Sequence, residues 1–373
     1  MNKTKVLVTG SGGFIGKNLL ARLQYLDKYE VFPFDKDTDK VLLRKYCKEC
    51  DIVVHLAGVN RPIDPEDFQK GNVGFTEELL SELEKSKSKS PIIVSSSTQA
   101  ALDNDYGRSK KGGEDLVFAH AKKRKTKAYV FRFTNVFGKW CRPNYNSAVA
   151  TFCANIANGL PVTVSDPDKE LALVYIDDVI DAVIDAMNGK VKIVDGFCDV
   201  EIKHKVKLGA LVDLIKSFSE SRNNLFLPAQ ERGSFEKKLY SMYTSYIPKD
   251  KLNYELKMNV DDRGSFTEFL KIKDFGQVSI NIAKSGVCKG NHWHHSKNEK
   301  FLAVSGSGVV RIWELGKKDE AIEYKVSGEK FEVIDMPCGS VHSIENKGGV
   351  DLVTIIWANE IFDKEKSDTY FEN

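Results

Sequence analysis

Short apolar runs alternate with helix-like stretches from Lys5 to Arg132, and after Asp250 that alternation stops. The early runs are Lys5–Thr9, Glu30–Phe34, Asp51–Leu56, Pro91–Ser95 and Ala128–Arg132. Between them Lys17–Leu26, Gly74–Glu84 and Ser109–Lys122 carry apolar residues at helical spacing. Runs that are apolar on both faces predict strands of a parallel sheet covered by helices on each side. From Leu252 onward the pattern predicts only strands, at Gln277–Ile282, Lys300–Val304, Gly308–Trp313, Phe331–Asp335 and Leu352–Trp357. Many short strands at close spacing suit a small antiparallel barrel or jelly roll. With 373 residues two domains are expected, 1–248 and 252–373, the boundary falling within 245–255.

Charge excludes some partners. Lys plus Arg number 55 against 53 for Asp plus Glu, a net charge of +2, which offers no electrostatic reason for nucleic acid or an anionic membrane. No signal-peptide core and no bilayer-length apolar run stands in the chain. Seven scattered cysteines, an odd number, suit a reducing compartment, so a cytoplasmic location is expected. Cys47 and Cys50 form an isolated CxxC, read as surface or helix cysteines without a metal. Glu84–Ser90 reads as a solvated helix end and loop.

The first run leads directly into Gly10, Gly13, Phe14, Ile15 and Gly16, a glycine-rich turn that opens a helix. Gly10 permits the tight turn, Gly13 lets the main chain approach a pyrophosphate, and Gly16 lets the helix pack on the sheet. This predicts a Rossmann-like dinucleotide site. Asp35 ends the second run at the right distance to bind a ribose 2′-hydroxyl, which favours NADH, while Lys36 and Arg44 offer cations for the 2′-phosphate of NADPH.

Tyr106 and Lys110 stand four apart, on one helix face. The ammonium is expected to lower the phenol's pKa, so that Tyr106 exchanges a proton with a carbonyl oxygen. Upstream, Ser95–Ser97 ends a strand, where a hydroxyl can hold the same oxygen. His55 is expected to be a core residue with its hydrogen bonds satisfied.

In the second half, His292, His294 and His295 fall within four residues, followed by Glu299, and His342 comes from a distant strand. In a strand His292 and His294 share a face and His295 points away. Three imidazoles and a carboxylate suit Zn²⁺, Fe²⁺, Mn²⁺ or Ni²⁺.

Over residues 4–240 the chain resembles the extended short-chain dehydrogenase/reductase family. The likeness rests on the glycine turn, Tyr106/Lys110, His55–Gly58, Asn72-Val73, Arg132–Asn135, Val136–Gly138 and Val174–Asp178. It implies that Ala57 and Gly58 line the cofactor and that Ser97 completes the catalytic trio, with Ser96 as the alternative. It also implies that Asn135 and the loop 139–147 face a nucleotide sugar. The stretch between Ser97 and Tyr106 is shorter than is usual in that family. Gly286 through Gly306, together with Pro337, Gly339, His342 and Asn346, resembles the two motifs of the cupin superfamily, with Phe331 where a glycine is usual. That resemblance implies His292, His294, Glu299 and His342 as ligands of a divalent metal, zinc first. Met258–Phe269 resembles the entry segment of sugar-nucleotide epimerase cupins, which implies substrate contacts for Arg263 and Lys289.

A reductase joined to such a cupin resembles the bacterial capsule-assembling epimerase–reductases of the CapF type. That family implies C3 epimerisation of UDP-2-acetamido-2,6-dideoxy-4-hexulose by the cupin, then NADPH-dependent reduction at C4 to the L-talose product. The partner implied is thus a UDP-linked 4-keto-6-deoxy amino sugar, and a homodimer is expected. A histidine not held by metal, Lys289 or a tyrosine would serve as the C3 base. Two other classes fit parts of the pattern: an oxygenase cupin fused to a reductase, revealed by oxygen uptake, and a dinucleotide sensor without turnover, against which the Tyr106/Lys110 pair argues.

Overall fold

The computed structural model describes residues 3–62, 64–228 and 231–372. Contacts divide the chain into two units, Met1–Ile215 with Lys238–Ile247, and Lys216–Lys237 with Pro248–Asn373.

The first unit is built on strands β1 (Thr4–Thr9), β2 (Tyr29–Phe34), β3 (Ile52–His55), β4 (Ile92–Ser97) and β5 (Ala128–Phe133). They run parallel in the order β2-β1-β3-β4-β5, extended by the short pair Phe197–Cys198 and Ile193–Val194. Both faces are covered. Leu19, Val54, Phe131 and Val183 fill one side, and Leu43, Leu79, Val117 and Val130 the other. Every residue of β3 is buried, as its continuous apolar run requires.

Two helices begin earlier than their apolar spacing predicts. The first runs Phe14–Gln24, directly after Gly13. The helix Asp105–Arg124 is capped by Asn104, whose side-chain oxygen accepts from Gly107 N at 2.7 Å. Its first turn is polar, so hydrophobic periodicity cannot register it, whereas the cap does. Cys47 and Cys50 are buried, not on the surface, and both are free thiols that burial pushes up to about 12 and about 11. The helix Lys40–Glu49 presents Leu43 and Cys47 together to the core, which is where i,i+4 spacing places them.

Apart from the end of the helix Leu208–Asn224 and short helical turns, the second unit is built of two β-sheets. One sheet runs Phe226–Leu227, Gly264–Ile272, Gly276–Ala283, Leu352–Ala358, Glu299–Ser305 and Val333–Met336, with Asn259–Asp261 paired to the second of these. The other runs Ile322–Ser327, Ser307–Glu314, Ser340–Asn346, Cys288–Trp293 and Tyr370–Phe371. Phe301, Val310, Met336, Ile344 and Leu352 pack as the core. The strand Gly276–Ala283 is inverted in polarity: Gln277, Ser279 and Asn281 are buried, and Val278, Ile280 and Ile282 are half-buried. A buried polar row needs hydrogen-bond partners or a ligand, so the interior is built for more than packing. No helix among the described residues is long and apolar enough to cross a membrane.

Candidate active sites and a candidate metal centre

In the first unit the glycine turn follows β1. Gly10 adopts φ +68°, and a side chain there would come within 2.6 Å of Ala57 N. A Cβ on Gly16 would lie 2.2 Å from Gly10 O, so glycine is required for the helix to start this close to the turn. Gly13 is the residue before the helix, with Phe14 and Ile15 in its first turn. Asp35 closes the same edge: Oδ2 accepts from Gly12 N at 2.6 Å and Oδ1 from Lys36 N at 2.8 Å. Ala57 and Gly58 leave β3 beside this turn, and a Cβ on Gly58 would come 3.0 Å from Lys110 Nζ.

Tyr106 and Lys110 share the first turns of the helix Asp105–Arg124, with the ammonium 5.9 Å from the phenol ring centre. Lys110 Nζ donates to Ser95 O at 3.2 Å, and burial pushes its pKa down to about 8. The Tyr106 phenol is raised, chiefly by burial and partly offset by a hydrogen bond with Ser97. This reverses the lowering that the Tyr-Lys spacing predicts, because desolvation of the phenolate outweighs a distant ammonium. The serines separate by strand alternation. Ser96 Oγ donates to buried Glu114 at 2.6 Å, while Ser97 caps the following turn on the other face. His55 is buried between Thr9 Oγ1 at 2.7 Å and Thr76 Oγ1 at 3.0 Å, and burial pushes its pKa down to about 3. It is a neutral core residue, as expected. Asn135 is exposed and donates to Ala172 O at 3.2 Å.

The second unit brings His292, His294, Glu299 and His342 together, one ligand atom from each lying within 4.8 Å of the others. His292 and His342 are register partners on adjacent strands of one sheet, and Glu299 comes from the other. Among the described residues, His294 Nε2 and both ring nitrogens of buried His342 lack hydrogen-bond partners. His342 Nε2 stands 3.3 Å from Glu299 Oε2, and His294 Nε2 stands 3.7 Å from it. Burial raises the Glu299 carboxyl, but the nearby His294, His342 and Lys297 outweigh that and hold it below the usual range. Burial pushes His292 down to about 3. Imidazoles with orphaned nitrogens around a carboxylate fit a divalent cation. His295 lies outside the quartet, exposed.

Arg263 is exposed and pairs with Asp261 at 2.6 Å. Lys289 Nζ donates to Ile282 O at 2.7 Å, Asn281 Oδ1 at 3.1 Å and Ser265 O at 3.2 Å, so its three donors are all engaged.

Three participants escaped the reading of the sequence. Asn60 accepts from the Tyr106 hydroxyl at 2.9 Å, and no local pattern marks it. Glu114, one turn after Lys110, takes Ser96 and Arg132 in a buried network, and its i,i+4 spacing was the available signal. Asp368 lies against His294 and its turn, from a tail with no motif.

Comparison with known proteins agrees with this division. Residues 6–196 match the NAD dependent epimerase/dehydratase family, and residues 259–370 match the polysaccharide biosynthesis C-terminal domain. The chain is 40% identical to the UDP-2-acetamido-2,6-beta-L-arabino-hexul-4-ose reductase of Pseudomonas aeruginosa, over 98% of each. It superimposes on the crystal structure of the capsular polysaccharide assembling protein CapF of Staphylococcus aureus with TM-score 0.92 and 48% identity, covering 100% of this chain and 99% of that one. The UDP-glucuronic acid 4-epimerase of Bacillus cereus, at 19% identity and TM-score 0.56 over 65% of this chain and 99% of its own, shares the fold. The chain therefore belongs to the NAD-dependent epimerase/dehydratase family, among the full-length relatives of CapF that join this enzyme domain to a polysaccharide-biosynthesis barrel.

Proposed function

We propose that the chain is a bifunctional enzyme of surface-polysaccharide precursor synthesis. Residues 252–373 invert C3 of UDP-2-acetamido-2,6-dideoxy-4-hexulose, and residues 1–248 then reduce its C4 ketone. The observation that carries the reading is the Tyr106/Lys110 pair beside Ser97, in one chain with a barrel of polar interior. The 40% identical reductase supports the substrate class.

When bound, the nicotinamide of NADPH supplies hydride to C4. Tyr106 gives its phenolic proton to O4 as the ketone becomes an alcohol, Ser97 donates a hydrogen bond to the same oxygen, and Lys110 places positive charge near the phenolate left behind. Gly10, Gly13, Phe14, Ile15 and Gly16 receive the pyrophosphate, while Ala57 and Gly58 line the cofactor. Asp35 is tied to main-chain nitrogens of Gly12 and Lys36, so the exposed Lys36 and Arg44 are the groups proposed to accept a 2′-phosphate. NADH is the alternative reductant. Asn135 faces the nucleotide sugar.

In the barrel the C4 ketone acidifies the C3 proton, so removing it and returning it to the other face inverts the centre. His292, His294, Glu299 and His342 would hold a divalent cation, zinc first. A cation there supplies positive charge to an enolate oxygen or ties the two sheets together. Arg263 and Lys289 are proposed to face the substrate. The outward row Val278, Ile280 and Ile282, beside exposed Ile355 and Val333, supports a homodimer, which light scattering tests.

The deciding experiment follows the 4-keto sugar nucleotide by NMR in D₂O before and after NADPH is added. Deuterium entering C3 first, then reduction at C4, is expected. Reduction with no exchange at C3 removes the epimerase role.

A further inference from the structure

The chain's last residues wrap the candidate metal centre. His294 Nδ1 is hydrogen-bonded to the main-chain carbonyl of Asp368. A carbonyl only accepts, so Nδ1 carries the proton and Nε2 keeps its lone pair, on the side where Glu299 stands. The Asp368 carboxylate in turn accepts from His295 N at 2.9 Å, Ser296 N at 2.7 Å, Lys297 N at 2.9 Å and Ser296 Oγ at 3.1 Å. Those donors form the turn between His294 and Glu299. One residue thus grips a ligand ring through its main chain and the connecting turn through its side chain.

The next residues reinforce this grip. Tyr370–Phe371 adds a strand beside Cys288–Trp293, pairing Phe371 with His292, and the two rings meet edge-on at 5.7 Å. Glu372 anchors the end, accepting from Trp313 Nε1 at 2.6 Å and Gly316 N at 2.7 Å. Without this strand the His292 segment would be a sheet edge.

We propose that Asp368–Glu372 is a working part of the metal centre, and that Asp368 is a positioning residue that sets the tautomer and orientation of His294. The proposal rests on reading the quartet as a cation site. Partners that orient metal-bound histidines typically change affinity by about 10- to 100-fold when removed.

The test uses the full chain, stripped and reloaded with Zn²⁺, against a chelator of known affinity. Asp368→Ala and a chain ending at Ser367 should bind Zn²⁺ about 10- to 100-fold more weakly. Asp368→Asn, which keeps an acceptor for the turn, should recover most of that loss. In ¹⁵N-labelled, metal-free protein, His294 should be protonated at Nδ1 and should move toward the Nε2 tautomer in the chain ending at Ser367, which lacks the Asp368 carbonyl. A general folding defect would not produce that change at one ring. Should Asp368→Ala misfold, the truncated chain decides. Wild-type affinity in Asp368→Ala and in the truncated chain, with the His294 tautomer unchanged in the latter, overturns the proposal. A wild-type chain that takes up no Zn²⁺ sinks the cation reading itself, and the proposal with it.

Discussion

The Lys110 ammonium donates to the carbonyl of Ser95, 3.2 Å away, and so ties the helix carrying Tyr106 to the strand carrying Ser97. The bond is partly buried, and burial holds the Lys110 pKa at about 8 rather than 10.5. Because the folded chain releases this proton first, the group contributes stability that grows as pH rises from about 8 to about 10.5. Its effect on catalysis has the opposite sign. The charge near Tyr106 is lost above that point, so kcat/KM for C4 reduction should fall above about pH 8. Deuterium exchange at C3 should not follow the same limb, and parallel pH profiles check this.

Tyr106→Phe removes the proposed proton donor while keeping the ring. Reduction at C4 should drop about 10²- to 10⁴-fold with C3 exchange intact. The NMR assay separates the two directly.

Glu114 is fully buried and forms a bidentate pair with Arg132, at 2.6 and 2.8 Å, while also accepting from Ser96. Arg132→Met leaves that carboxylate without its cation. The loss should be about 3 kcal/mol of stability, read from urea unfolding followed by a probe in the first unit. Ser96→Ala should cost less, about 1–2 kcal/mol, because the ion pair survives.

His342→Ala takes away a proposed ligand whose ring nitrogens have no hydrogen-bond partner among the described residues. Bound Zn²⁺ should fall well below one per chain by elemental analysis. Reduction of a pre-epimerised 4-keto substrate should persist at the wild-type rate.

Asp35→Ala removes a carboxylate from the edge of the glycine turn. The ratio of NADPH to NADH affinity should rise about tenfold or more, because the repulsion of a 2′-phosphate is gone. Titration of both dinucleotides checks it.

Much of this protein was legible in one dimension because the responsible forces act locally. Continuous apolar runs announced β1–β5, and the spacing of Gly10, Gly13 and Gly16 announced the turn that follows. His292-x-His294 was readable because strand alternation puts both rings on one face. The inverted strand was partly legible as well: Gln277–Ile282 alternates, but alternation alone does not say which face is inside.

What remained hidden depends on distance through space. Spacing suggested that Lys110 would acidify Tyr106, yet desolvation, which only the packed chain decides, raises the phenol. Cys47 and Cys50 read as surface or helix cysteines, and only the packed chain shows that their helix turns them to the core. Asn60 meets Tyr106 across 46 residues and Asp368 meets His294 across 74, with no periodicity to announce either. The sequence alone therefore determined the strand and helix pattern and the chemistry available at each motif. Tertiary structure decided which groups are desolvated and which distant side chains complete a site, because burial and hydrogen-bond geometry exist only once the sheets have closed.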